Sequence, residues 1–265
     1  MYSPLQLAAR YAKYYITASN SKGHGMHSPF VFSFITQVMK DDRAFYAYRS
    51  IENLRQLQLI DQQVLLIQDF GAGSRVRKEN TRKVCDIARS SLKPKKFGQL
   101  LFRIVDQYSP ANILELGTSL GITTAYMAAA NEQSKVVTME GAATVAAVAK
   151  KNFAKLGLQN IRLVEGNFDE TLAATVQQMG RIDLAFVDGN HRYEPTLRYF
   201  REILPAMHEY SILIFDDIHW SKEMEQAWAE IQQDPAVTLS IDLFFIGLVF
   251  FRKEQKVKQH FTIRF

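Results

Sequence analysis

From about Pro94 onward the chain alternates short apolar runs with helical stretches, and this rhythm constrains its fold more than any other feature. NILELG (Asn112 to Gly117), KVVTME (Lys135 to Glu140), IRLVEG, IDLAFVDG and SILIFDD are each long enough for one strand. Between them lie segments such as ITTAYMAAA and VAAVAKKNFAKLG, the latter closed by Gly157, a residue suited to stopping a helix. Strands that alternate with helices imply a mostly parallel sheet covered on both faces, because parallel neighbours need a long crossover. The last two runs, VTLSIDL and GLVFFRK, are too close for a crossover and are expected to pair as an antiparallel hairpin.

The first 93 residues read as a separate helical region. PLQLAARYAKYYI places Leu5, Ala8, Ala9 and Ala12 on one stripe. Ser28 is placed to cap a helix with Pro29 at its first position. Asp41 and Asp42 precede an amphipathic stretch through about Leu59. A turn is expected at Gly71 to Ser74, then a further helix through Ala88. No period of 20–50 residues repeats, which excludes a solenoid. The expected division is therefore 1–93, a lid, dimer contact or substrate cover, and 94–265, the domain that carries the chemistry.

Composition removes several classes. At 265 residues, with 47% apolar and 22% charged residues, the chain is long enough for a full core and is not a disordered protein. Its longest apolar run, Leu243 to Phe251, is too short to span a bilayer as a helix, and no secretory signal follows the basic Arg10 and Lys13. The single cysteine, Cys85, excludes an internal disulfide and is read as core. The reading is a soluble, cytoplasmic chain. Residues 1–100 hold 16 Lys or Arg against 7 Asp or Glu, whereas the remainder holds 16 against 20. The basic part includes RVRKENTRK (Arg75 to Lys83), read as a solvated helix face. It lacks interleaved aromatics that would stack bases, which argues against nucleic acid. His24 and His27 have no acidic or thiol partner nearby in sequence and are not read as a metal site.

Ligands of open α/β sheets bind beyond the carboxyl ends of the strands. The candidate loop is ELGTSLG, Glu115 to Gly121, where Gly117 and Gly121 allow a sharp turn and close backbone approach. It is neither a G-x-G-x-x-G pyrophosphate loop nor a P-loop. Glu140 ends the next strand and is placed to accept bonds from both hydroxyls of a ribose. A loop flanked by the carboxylates of Glu115 and Glu140 suits a cationic nucleoside. Gly166 and Asn167, after the third run, would border an adenine.

The ordered series ILELGTSLGITT, VVTME, LVEGNFDETL, LAFVDGNHRY and LIFDDIHW resembles the class I S-adenosylmethionine-dependent methyltransferases over about residues 94–252. Within them it is most similar to the catechol O-methyltransferase-like and macrocin-type O-methyltransferase groups. The resemblance implies an α/β fold with a Rossmann-like, doubly wound, mostly parallel seven-stranded sheet and an antiparallel C-terminal hairpin, plus the helical N-terminal region. It implies that Glu115, Gly117, Thr118, Ser119 and Gly121 line the methionine part of S-adenosyl-L-methionine. Glu140 would take the ribose hydroxyls, Asn167 and Phe168 the adenine edge, and Asp188 would also face the cofactor.

Asp188 ends the fourth run, and Asp216 and Asp217 end the fifth. Three carboxylates gathered on one rim repel one another, and a hard divalent cation such as Mg²⁺ removes that conflict. In the resembling enzymes, acids at these positions hold a divalent metal, which would lower the pKa of a substrate hydroxyl. Asp216 and Asp217 also fit a plain helix cap. His191 is the candidate general base, with His219 a second, while Trp220 and Tyr193 would wall the substrate. The expected enzyme is an O-methyltransferase acting on a small hydroxylated molecule, with a homodimer built through apolar helices of residues 1–60. The alternatives are a metal-independent methyltransferase on nucleic acid or protein, and a non-catalytic cofactor-binding module.

Overall fold

The computed structural model describes residues 1–19, 28–67 and 81–265. The expected turn at Gly71 to Ser74, His24, His27 and the run from Arg75 to Asn80 lie outside the described residues.

In chain order the elements are α1 (Pro4–Thr17), α2 (Pro29–Phe34) continued by a π-helical turn (Ile35–Met39), α3 (Tyr46–Ile60), β1 (Val64–Leu66) and β2 (Thr81–Lys83). Next come α4 (Val84–Ser91), α5 (Lys95–Tyr108), β3 (Asn112–Leu116), α6 (Ile122–Ala130), β4 (Lys135–Glu140), α7 (Ala143–Lys155) and β5 (Ile161–Glu165). The remainder is α8 (Phe168–Met179), β6 (Leu184–Val187), α9 (Tyr193–Ile203), β7 (Ile212–Asp216), α10 (Lys222–Gln233), β8 (Leu239–Asp242), β9 (Ile246–Phe250) and β10 (Gln259–Thr262). The chain forms two compact units, one of residues 41–171 and one of residues 1–40 with 172–265. Both units draw on the first 93 residues.

In the unit of residues 41–171, β3, β4 and β5 are parallel neighbours, with Leu114 opposite Val137 and Val137 opposite Arg162. Helix α5 lies close on α6. A Cβ at Gly98 would stand 2.5 Å from the Tyr126 ring, so glycine sets that approach. Tyr126 in turn donates to Glu52 of α3 at 2.6 Å, which ties α3 onto the same layer. Here the sequence reading needs one correction. The stretch before Ala88 is not all helix, because Thr81–Lys83 pairs antiparallel with Val64–Leu66 before α4 begins. Strands of three residues are too short to show an alternating pattern. Cys85 is buried, as expected of a core residue.

In the other unit, β6 and β7 are parallel, β9 runs antiparallel to both β7 and β8, and β10 is parallel to β8. The hairpin read from VTLSIDL and GLVFFRK is therefore present. The sheet has eight strands rather than seven: β10-β8-β9-β7-β6 in this unit and β3-β4-β5 in the other. The extra strand, QHFT, is an edge strand that alternates between half-buried and exposed residues. Its polar sequence gave no apolar run to count.

Helix α1 buries a different face from the one its small residues suggest. Tyr14 and Ala18, with Leu7 and Tyr11, pack against Phe244 and Phe245. Leu5 on the alanine stripe is 84% exposed. The aromatic side bears much the larger apolar surface, and burial scales with that area. The capping of α2 follows expectation: Ser28 accepts from the Val31 N–H, with Pro29 at the first helical position.

Candidate active site

The loop between β3 and α6 is held by hydrogen bonds along its length. The N–H groups of Gly117 and Thr118 both donate to the Met139 carbonyl at 3.0 Å, and that of Gly121 to the Thr118 carbonyl at 2.9 Å. Three of its residues adopt left-handed backbone, with φ of 101° at Gly117, 48° at Ser119 and 84° at Gly121. At Gly121 glycine is needed twice over. Besides the positive φ, a Cβ there would stand 2.5 Å from the Phe153 ring of α7.

Glu140, at the tip of β4, joins this loop to the next helix. One carboxylate oxygen accepts the Ser119 N–H at 2.8 Å and the other accepts the Ala142 N–H at 2.9 Å. An ionised carboxylate has about four acceptor positions, so two backbone bonds leave its chemistry compatible with further donors such as ribose hydroxyls. Gly166, with φ of 131°, donates to the Glu140 carbonyl at 3.0 Å and brings β5's exit beside β4's. Asn167 opens α8: its Oδ1 accepts the Asp169 N–H at 3.1 Å, and its carbonyl accepts from Glu170 and Thr171. Phe168 is the first residue of that helix and is half-buried. Gly117, Thr118, Ser119, Gly121, Glu140, Asn167 and Phe168 thus lie at or just beyond the carboxyl ends of three adjacent parallel strands.

Glu115 sits lower than the resemblance implies. It is wholly buried. Its Oε2 accepts from the hydroxyls of Thr124 and Thr138, the latter at 2.6 Å. Thr138 is also 2.6 Å from the Thr118 hydroxyl. Glu115 is therefore the base of a hydroxyl chain that reaches up to the loop through Thr138 and Thr118.

In the unit of residues 1–40 and 172–265, Asp188, His191 and Asp216 offer ligand atoms within 4.8 Å of one another. Asp188 follows β6 and Asp216 ends β7, parallel neighbours whose carboxyl ends lie side by side. His191 Nε2 is 3.5 Å from Asp188 Oδ1, and Asp216 is buried. Two carboxylates and an imidazole at this spacing are a donor set that a divalent cation fits. Asp217, expected in this group, is not part of it. Its φ is 53°, and its backbone serves a turn, the N–H donating to Phe245 and the carbonyl accepting from Trp220.

The second base candidate has other work. His219 Nε2 is 2.7 Å from Asp242 and Nδ1 is 3.1 Å from Glu225, and its ring stacks on Phe244. Burial acts to lower its pKa, but the bonds and charges of Asp242 and Glu225 outweigh burial and raise it. Glu225 also accepts from Arg10 at 2.6 Å and from the Tyr2 hydroxyl at 2.7 Å, so His219 anchors α1. Tyr193 turns its hydroxyl onto Glu230 of α10.

A protein-family profile described as a methyltransferase domain matches residues 114–218. Residues 114–218 are similar to a methyltransferase domain. A transmembrane O-methyltransferase homolog of Rattus norvegicus is 35% identical over 101 residues, which cover 36% of this chain and 39% of the relative. A catechol O-methyltransferase of Niastella koreensis is 31% identical over 126 residues, covering 46% of this chain and 55% of the relative. The chain thus matches well under two thirds of the length of these relatives. The SAH-bound methyltransferase PaMTH1 of Podospora anserina shares the fold over 96% of this chain and 98% of its own, with a TM-score of 0.58 at 13% identity. The O-methyltransferase of Bacillus cereus in complex with SAH shares it over 80% and 93%, with a TM-score of 0.54 at 16% identity. Among the described residues, no helix is long and apolar enough to cross a membrane.

Several residues that support the loop between β3 and α6 were not singled out from sequence. Thr138 and Thr124 support Glu115, and two amides, Gln58 and Asn152, hold the loop from its far side. Thr138 did leave a signal, a hydroxyl in the middle of the apolar run KVVTME. Thr124, Gln58 and Asn152 left none, because a polar residue on a helix is unremarkable until its burial is known.

Proposed function

We propose that the chain transfers the methyl group of S-adenosylmethionine to an oxygen of a small hydroxylated molecule, with help from a divalent cation. The observation that carries this reading is the Asp188, His191 and Asp216 group, whose atoms gather within 4.8 Å at the exits of two parallel strands. The name of the Niastella koreensis relative, a catechol O-methyltransferase, supports a hydroxyl acceptor.

Each residue then has a role. Glu140 takes the ribose hydroxyls while it pins Ser119, and Asn167 with Phe168 borders the adenine. The backbone of Gly117, Thr118, Ser119 and Gly121 receives the methionine part, with Glu115 supporting it from below. Asp188 and Asp216 would hold the cation, which would supply Lewis acidity to the acceptor hydroxyl. His191, whose Nε2 lies 3.5 Å from Asp188 Oδ1, accepts the hydroxyl proton. The oxygen forms its bond to the methyl carbon as the carbon–sulfur bond breaks, with that electron pair leaving on sulfur. Beyond these groups the step needs mainly alignment.

The donor set bears on which cation is preferred. With His191 kept as the base, the two carboxylates of Asp188 and Asp216 form an oxygen donor set, which suits Mg²⁺ or Mn²⁺. The test is methyl transfer to a panel of catechols and other hydroxylated acceptors after chelation, with each ion restored separately. Activity that returns with a divalent ion supports the reading; activity indifferent to chelation removes the metal from it.

A further inference from the structure

The Leu120 carbonyl accepts from two side-chain amides. Asn152 Nδ2 of α7 donates at 3.0 Å and Gln58 Nε2 of α3 at 3.2 Å. Leu120 is wholly buried, and Gln58 and Asn152 are each 3% exposed. The local backbone explains the need. Gly121 starts α6 in left-handed geometry, and its carbonyl takes the helix bond from Ala125. The carbonyl one residue earlier is shut off from water, so its donors must come from side chains.

Gln58 fills this role at a cost to the fold. Its Oε1 is buried and has no hydrogen-bond partner among the described residues. A methionine would fill nearly the same space without an unsatisfied acceptor. For stability alone, glutamine is the inferior choice at this position. What it offers over methionine is a donor aimed at the loop between β3 and α6.

We infer that Gln58 is a positioning residue for S-adenosylmethionine: with Asn152 it clamps the Leu120 carbonyl and fixes the turn at Ser119 to Gly121. This deepens the proposed function and rests on it for the identity of the ligand. It gives α3 a direct hold on the cofactor loop. The loop is thereby preorganised, so less ordering is left for the ligand to impose.

The test compares wild type, Gln58→Met, Asn152→Leu and the double variant. S-adenosylmethionine is titrated calorimetrically, Tm is recorded, and amide hydrogen exchange of a peptide spanning residues 117–121 is followed without ligand. For Gln58→Met the Tm should hold or rise, loop exchange should quicken selectively, and Kd should weaken about three- to tenfold, the worth of one neutral hydrogen bond. The double variant should lose more than the product of the single effects, because the carbonyl then has no donor. Wild-type exchange and Kd in Gln58→Met would overturn the inference. So would weaker binding that merely tracks a lower Tm and faster exchange throughout the chain. If wild type bound no S-adenosylmethionine, the functional reading would fall, and the exchange comparison alone would decide the clamp.

Discussion

The Glu140 carboxylate accepts the Ser119 N–H at 2.8 Å, so the residue assigned to the ribose also sets the shape of the loop beside it. Replacing it by Gln keeps the size but removes the charge and leaves one acceptor oxygen for the two backbone N–H groups. Hydrogen bonds to charged groups contribute about 1.5–3 kcal/mol, so Glu140→Gln should weaken S-adenosylmethionine roughly 10- to 100-fold. Calorimetric titration measures this, and an unchanged Kd would remove Glu140 from the cofactor site.

Thr138 supports a buried carboxyl group. Thr138→Val takes one of two hydroxyl donors from Glu115 Oε2 and leaves Thr118 without its partner. The expected loss of stability is about 1–3 kcal/mol, with Thr138→Ser close to wild type. Denaturant unfolding of the two variants separates the hydroxyl from the methyl group. Equal losses in both would show that packing, not the hydroxyl chain, is what matters here.

Two glycines with similar backbones should behave differently. At Gly121 (φ 84°) a Cβ meets the Phe153 ring at 2.5 Å, whereas at Gly157 (φ 70°) nothing lies within 4 Å. Gly157→Ala should cost about 1 kcal/mol, the left-handed penalty alone. Gly121→Ala adds overpacking of roughly 1–3 kcal/mol and should also weaken the cofactor. Comparable Tm values for the two would contradict the packing argument.

These residues show what could be read in advance. The strands β3 to β7 were legible as short apolar runs ending in glycine or acid, and β8 and β9 as two apolar runs too close for a crossover. The position of the loop between β3 and α6, and of Glu140 at the end of β4, followed from the strand boundaries. Strands β1, β2 and β10 were not legible: β1 and β2 have three residues each, and β10 is the largely polar QHFT, so none carries a pattern of its own. Asp217 was placed with Asp188 and Asp216 on adjacency, but consecutive residues at a strand exit point apart, and its backbone turns left-handed. Gln58 and Asn152 sit 62 and 32 residues from Leu120, a distance that sequence spacing does not bridge.

His219 makes the attachment of α1 depend on pH. Its pKa lies above the ordinary 6.5 because Asp242 and Glu225 outweigh its burial. A group with a raised folded pKa contributes fully below its unfolded value and loses that contribution as pH rises through the folded value. The Tm gap between wild type and His219→Gln should therefore be widest in mild acid, below about pH 6, and should narrow towards alkaline pH. A gap that widened with rising pH would reverse the assigned protonation.

The most direct measurement is calorimetric titration of S-adenosylmethionine, with and without Mg²⁺ or Mn²⁺, on wild type and on the Asp188→Ala, Asp216→Ala double variant. The expected result is cofactor binding to wild type together with a separate divalent-ion site that the double variant lacks. A folded wild-type protein that binds neither cofactor nor ion would contradict the account.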